Sequence, residues 1–120
     1  MNDAQTTVAE LRELVRTFVA ERNWEQFHTP KNLAMSAAIE AAELMEHFQW
    51  LTPQASQALA EDAGKREAVG EELADVVCYL LALANVLGLD VADSVARKMV
   101  RNAAKYPADE FRGRYGRDDV

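Results

Sequence analysis

Apolar positions recur along this chain at intervals of three and four, and nowhere at a sustained interval of two. Val8, Leu11, Leu14, Val15 and Phe18 form the first such stripe, the pattern of a helix with one face on a core. Thr7-Val-Ala-Glu10 ahead of it is a capping box, in which hydroxyl and carboxylate each satisfy a backbone N–H that the first turn leaves unpaired. This helix is expected to reach about Arg22, where Asn23 breaks the pattern and Trp24-Glu-Gln-Phe27-His28 makes an aromatic-rich connection. Thr29-Pro30 starts a second helix that runs to about Gln49, with Thr as cap and Pro where its missing N–H costs nothing. Thr52-Pro53 repeats the signal for a short helix to about Leu59, and residues 60–66 read as a polar connection. A long helix is predicted from about Lys65 to Leu87, closed by Gly88, and a last one from Asp90 to Lys105, stopped by Tyr106-Pro107. Residues 1–5 read as frayed, and residues 108–120 as an extended or partly disordered tail. Four main helices with short connections predict an all-α, four-helix-bundle-like fold.

Two helices break their own pattern. In the second, Leu33, Ala37, Leu44 and Phe48 share a face, yet Glu40 falls in its middle and Glu43 on its flank. A carboxylate aimed into an apolar face needs a cation or a metal ion to offset its desolvation. In the long helix Val69, Leu73, Val76, Val77, Leu80, Leu83, Ala84 and Leu87 make the apolar face. Glu72, Asp75 and Tyr79 line up beside it at i, i+3 and i+7. Neighbouring helices pack about 8–10 Å apart, so the two acidic pairs can surround one small volume. Protonation would relieve one or two of the four charges; a divalent cation would relieve all. Oxygen-only ligation selects Mg²⁺, with Mn²⁺ as a substitute. The two histidines, His28 and His47, lack the spacing of a zinc set, and Glu43 is followed at i+3 by Glu46 rather than by the His of a di-iron bundle. Glu46 and Glu71 point away from the apolar faces, toward solvent. Taken alone, the spacing leaves a solvated acidic surface open beside a metal site.

Composition narrows the partners. Hydrophobic residues make up 49% of the 120 and charged residues 28%, which fits a folded chain and one domain over 1–120. A domain of this size buries a modest share of its surface, which favours oligomers. Twenty acidic against thirteen basic residues give a net charge of −7, unfavourable for duplex nucleic acid but compatible with a small anion beside neutralising cations. Lys98, Arg101, Asn102 and Lys105 form one mostly cationic stripe on the last helix, suited to a polyphosphate or to plain solvation. Trp24, Phe27 and Trp50 sit at helix ends, as lids on a core or as stacking surfaces for a planar base. The single cysteine, Cys78, forms no intramolecular disulfide and reads as an inert helix residue. No apolar signal segment and no uninterrupted apolar run of about 18 residues is visible, so a soluble cytoplasmic protein with no membrane partner is expected.

The acidic signature Glu40-Ala-Ala-Glu43, 28 intervening residues (44 to 71), then Glu72-Leu-Ala-Asp75, resembles the E-x-x-E … E-x-x-D pattern of MazG-like all-α nucleoside triphosphate pyrophosphohydrolases. Arg22-Asn-Trp-Glu-Gln-Phe-His28, Pro30-Lys-Asn-Leu33, Phe48-Gln-Trp50, Glu71-Glu-Leu-Ala-Asp-Val76 and Lys98…Asn102…Lys105-Tyr-Pro107 are similar to the dCTP pyrophosphatase branch, over about residues 7–107. The resemblance implies cleavage of a (d)NTP, dCTP or a modified dCTP, between α and β phosphates to a monophosphate and pyrophosphate, in nucleotide-pool house-cleaning. It implies Mg²⁺ held by Glu40, Glu43, Glu72 and Asp75 as the catalytic set. Tyr79, Lys98, Asn102 and Lys105 would lie near phosphates or sugar. Trp24, His28 and Trp50 would lie toward the base. It also implies a homotetramer, a dimer of dimers, whose pocket is completed across subunits. One departure stands out: relatives can carry a histidine near the base where this chain has Val15, which cannot hydrogen-bond and leaves cytosine preference open. Two other functions compete, a non-enzymatic helical adaptor or antitoxin-like oligomer, and a related all-α pyrophosphohydrolase acting on a phosphoribosyl intermediate.

Overall fold

The computed structural model describes residues 1–115, which form helices and no β-strand. Six α-helices follow one another: α1 (Val8–Glu21), α2 (Pro30–Glu46), α3 (Pro53–Ala58), α4 (Ala63–Leu87), α5 (Val91–Lys105) and α6 (Ala108–Phe111). One-turn 3₁₀ segments lie at Glu25–Phe27 and Leu59–Glu61. The all-α class expected from the periodicity is what the chain adopts. The residues group into two compact units, Met1–Leu89 and a second beginning at Asp90.

The caps are the ones the sequence signals. Thr7 and Glu10 close their box reciprocally. The hydroxyls of Thr29 and Thr52 accept from the N–H of Asn32 and Ala55, and Pro30 and Pro53 open their helices. Asp90 caps α5 by accepting from the Asp93 N–H at 2.8 Å. Gly88 ends α4 with φ of 64°, a left-handed conformation that favours glycine.

Four expectations need correction. The second helix ends at Glu46, not near Gln49, and residues 47–50 form turns. Asp62 accepts from the Lys65 N–H and so starts α4 at Ala63, inside the stretch read as a connection. Residues 2–6 form a hydrogen-bonded turn instead of fraying: the Gln5 and Thr6 N–H groups both reach the Asn2 carbonyl. The tail read as extended contains α6, against whose Phe111 the Tyr106 ring packs edge-on at 5.2 Å. Residues 116–120 of that tail lie outside the described residues.

In the first unit, α4 is the axis. It pairs mainly with α2 and more briefly with α1. Leu33 and Ala37 are buried on α2, Val19 on α1, and Leu81, Ala82 and Ala84 on α4. Alanines at the contact let helix backbones approach closely, which brings side chains from both helices into one narrow seam. α1 is tied to the end of α4 by polar groups as well. The Asn85 Oδ1 accepts from Arg12 Nε at 2.9 Å and from Arg16 Nη2 at 3.1 Å, and Arg12 Nη1 donates to the Leu89 carbonyl. The apolar stripe read on the long helix is only half covered: Leu73, Val77, Leu80 and Leu87 remain exposed. On α2, Met35 and Ile39 are also exposed, on the side opposite Leu33 and Ala37, and Met45 is exposed on the flank.

Leu33 is 1% exposed and sits two turns before Glu40. Leu33→Ala is expected to lower the unfolding free energy by about 2–5 kcal/mol, read from urea denaturation at fixed protein concentration. A loss below about 1 kcal/mol would show that α2 is not anchored there.

Candidate active site

The α2–α4 seam carries the acidic residues. Glu40 and Glu43 are one turn apart on α2, Glu72 on α4 faces them, and each of the three offers a carboxylate oxygen within 4.8 Å of the other two. Glu40 and Glu72 are half-buried, Glu43 exposed. The Oε2 atoms of Glu40 and Glu72 are buried with no hydrogen-bond partner. This is an uncommon state for a buried polar atom, because water is lost and no donor replaces it.

The proton equilibria register the crowding. The Glu40 carboxyl is held above the usual carboxylate range. Its causes are first a proton shared with the Glu43 side chain, then burial, then the charges of Glu43, Asp75 and Glu72. Such sharing needs one of the two to be protonated, since an ionised carboxylate only accepts. Glu72 is raised as well, chiefly by burial and next by the charge of Glu43, while His47 pulls it back. The His47 Nε2 lies 4.0 Å from Glu72 Oε1. Of the four acids singled out in the sequence, three meet in one set. Asp75 stands outside it, close enough for its charge to act on Glu40, Glu72 and Cys78. Glu46 and Glu71 are exposed.

Asp75 also lines a groove of about 490 Å³ between α1 and α4. Its walls are mostly apolar and aromatic: Leu14, Val15, Phe18 and Trp24 on the α1 side, Cys78 and Tyr79 on α4, with His28 near the connection. Trp24 meets Phe18 edge-on, ring centres 5.7 Å apart, which fixes the indole at the rim. The glutamate set and the groove therefore share helix α4, on which the groove residue Asp75 lies one turn beyond Glu72.

Trp50 lies in the turn after α2, lines none of this groove, and is 87% exposed. Lys98, Asn102 and Lys105 belong to the second unit, on α5. There Lys98 is exposed, Asn102 is half-buried with its Nδ2 3.7 Å from Met99 Sδ, and Lys105 Nζ lies 5.2 Å from the Tyr106 ring centre.

Sequence reasoning passed over Cys78, Leu14 and Phe18 as groove residues. The wheel held the signal for one of them: Cys78 lies one turn beyond Asp75, beside Tyr79. Burial first, and the Asp75 charge second, raise its thiol above the ordinary value, so it is a poor nucleophile near neutral pH. Leu14 and Phe18 looked like core because apolarity alone does not distinguish a core from a groove wall.

A model of the MazG-like family matches residues 35–115. The dCTP pyrophosphatase 1 of Homo sapiens is 41% identical over 104 residues, 87% of this chain, and that of Bos taurus 39% over 110 residues, 92% of this chain. This chain spans 61% and 65% of the length of those two relatives. Among solved structures, a pyrophosphatase from Archaeoglobus fulgidus is similar with a TM-score of 0.75 and 40% identity, over 89% of this chain and 98% of that one.

The raised carboxyls have a measurable consequence in the metal-free protein. Between the ordinary carboxylate value and the raised one, the native state holds protons that the unfolded chain has released. Stability therefore falls as pH rises through that window. Glu40→Gln removes one of the crowded charges, so its melting temperature should exceed that of the parent at about pH 7 and converge with it near about pH 4. A variant less stable than the parent at neutral pH would contradict the crowding.

Proposed function

The chain belongs to the MazG-like family, and we propose that it is a Mg²⁺-dependent nucleoside triphosphate pyrophosphohydrolase. It would cleave dCTP or a modified dCTP between the α and β phosphates, releasing a monophosphate and pyrophosphate. The observation that carries this reading is the set of three carboxylates within 4.8 Å, two of them with orphaned buried oxygens. A surface acid is exposed to solvent; these two oxygens are buried without a protein donor, which suits a cation ligand. The similarity to dCTP pyrophosphatases and to an archaeal pyrophosphatase points the same way.

The donor set fits a hard divalent ion, being made of carboxylates without thiolate or imidazole. Glu40, Glu43 and Glu72 would hold it, with Asp75 beside them. When bound, Mg²⁺ supplies charge neutralisation for a polyphosphate and lowers the pKa of a water. The chain's own groups orient the substrate. The base would enter the apolar groove, stacking near Trp24 with His28 and Tyr79 along its length, and Asp75 marks the end from which the phosphates leave. In hydrolysis the water oxygen joins one phosphorus, the bridging bond breaks toward pyrophosphate, and a glutamate of the cluster takes the water's proton. Lys98, Asn102 and Lys105 are proposed to meet phosphate or sugar.

The apolar surfaces left uncovered on α2 and α4 support a homo-oligomer, proposed as a tetramer, in which Trp50 and Val77 would find neighbours. Among the described residues no single helix is long and apolar enough to cross a membrane. A cytoplasmic role in clearing nucleotides is proposed on the kinship.

Incubation with each (d)NTP and Mg²⁺, followed by product separation, should yield monophosphate and pyrophosphate. Orthophosphate with a diphosphate, or no turnover, would overturn the proposal. Glu40→Gln should reduce kcat by about 100-fold or more while circular dichroism stays helical. Mg²⁺ with a non-hydrolysable nucleotide should raise the melting temperature of the parent; an unchanged value would favour a non-enzymatic adaptor.

A further inference from the structure

His47 follows Glu46 as the C-cap of α2, one turn beyond Glu43, and its backbone N–H donates to the Leu44 and Met45 carbonyls. Its side chain is half-buried and reaches across to α4, where Nε2 lies 4.0 Å from Glu72 Oε1. Glu40, Glu43 and Glu72 have gathered no lysine or arginine. Among the described residues His47 is the one basic side chain paired with any of the three.

We propose that His47 is a positioning residue for the cation site: its imidazole engages Oε1 of Glu72 and leaves Oε2 to the divalent ion. The inference rests on the reading of the three glutamates as a metal site. His47 itself stands outside the set whose ligand atoms lie within 4.8 Å of one another, so it acts on the ion through Glu72.

The two oxygens of Glu72 are unequal. Oε1 has an imidazole nitrogen beside it, whereas Oε2 is buried and has no hydrogen-bond partner. A glutamate has three rotatable bonds, and ordering its side chain opposes the binding of whatever it must hold. A ligand already turned the right way subtracts less from the binding free energy. At 4.0 Å the contact is longer than a direct hydrogen bond, so it works through charge and dipole, and it favours the rotamers that keep Oε1 on the imidazole side. Side-chain exposures of 31% for His47 and 25% for Glu72 leave the pair only partly screened by water. Nε2 carries a hydrogen in the imidazolium and in one of the two neutral tautomers, so the role needs no change of charge. Groups that orient a metal-binding carboxylate in this way commonly alter metal affinity by about 10–100-fold when removed.

The test is Mn²⁺ binding to the metal-free protein without nucleotide, followed by titration calorimetry and electron spin resonance. The parent should bind Mn²⁺. His47→Leu, which keeps the bulk and removes the nitrogen, should raise Kd by about tenfold or more. Two polar variants separate position from polarity. The amide nitrogen of His47→Gln reaches the place of Nε2 and should restore Kd to within about threefold of the parent, whereas that of His47→Asn reaches only the place of Nδ1 and should leave the loss in full. Circular dichroism should show the same helix content in every variant before metal is added. An affinity in His47→Leu or His47→Asn equal to or tighter than the parent's would overturn the proposal, and so would a His47→Gln variant as weak as His47→Asn. A spin-echo signal from nitrogen bound directly to Mn²⁺ in the parent would make His47 a ligand and overturn the positioning role alone. A parent that binds no Mn²⁺ would overturn the metal-site reading and this inference together.

Discussion

The first unit is built around an electrostatic conflict in a narrow space. Helices α2 and α4 pack along a seam with alanines at the contact, and into that seam project Glu40, Glu43 and Glu72. At such separations like charges repel, and burial weakens the solvent's ability to screen them. The raised proton affinities of Glu40 and Glu72 are the direct expression of that conflict. A fold selected for stability alone would place apolar side chains there, and on the proposed function the arrangement is a cost carried for chemistry. The remaining features of the unit follow from keeping the seam tight while leaving one end open: Leu33 and Ala37 anchor α2, and Asp75 leads out to the groove.

The groove depends on a second constraint, the position of α1. If α1 lay fully against α4, Leu14, Phe18 and Trp24 would be core. Instead Asn85 clamps Arg12 and Arg16 near the end of α4, while Val19 supplies a buried contact, and space remains between the helices. The polar clamp is directional where apolar packing is not. It sets the separation of the two helices, and hence what the groove can admit.

Much of this was legible in the sequence, for a physical reason. Capping is local: Thr7, Thr29, Thr52 and Asp90 bond to backbone groups three residues away, so their patterns survive without tertiary information. The Glu40 anomaly was legible because a charge within an apolar face demands an explanation wherever the helix docks. What depended on partners was not legible. The stripe of Leu73, Val77 and Leu80 reads as core by period, yet α2 covers only the neighbouring arc of α4, and helical spacing does not say which arc a second helix will take. Asp75 has the same spacing from Glu72 that Glu43 has from Glu40, but it falls outside the set of three carboxylates. An i, i+3 step turns a side chain about the axis, and only the direction of the packed neighbour decides whether it turns inward. Asp62 as a cap was missed because no apolar stripe follows it in the first turn of α4.

Two kinds of exposed apolar surface coexist in this unit, and their geometry separates them. Leu14, Phe18 and Trp24 are exposed but line one wall of a concavity whose opposite wall carries Asp75 and Tyr79. A concave wall with convergent polar groups suits a small planar ligand. Met35 and Ile39 form a convex stripe on the opposite side of α2 from Leu33, and neither lines the groove described. A small ligand cannot cover a convex stripe, whereas another helix can, by setting its ridges into the stripe's grooves. The stripe runs beside the glutamates, since Ile39 lies one turn before Glu43 on the same face of α2. Covering it would hold α2 from the outside while α4 holds it from within. On the proposed reading, association would do more than hide apolar surface: it would hold the helix that carries two of the three clustered glutamates, so assembly and the geometry of the site would depend on the same element.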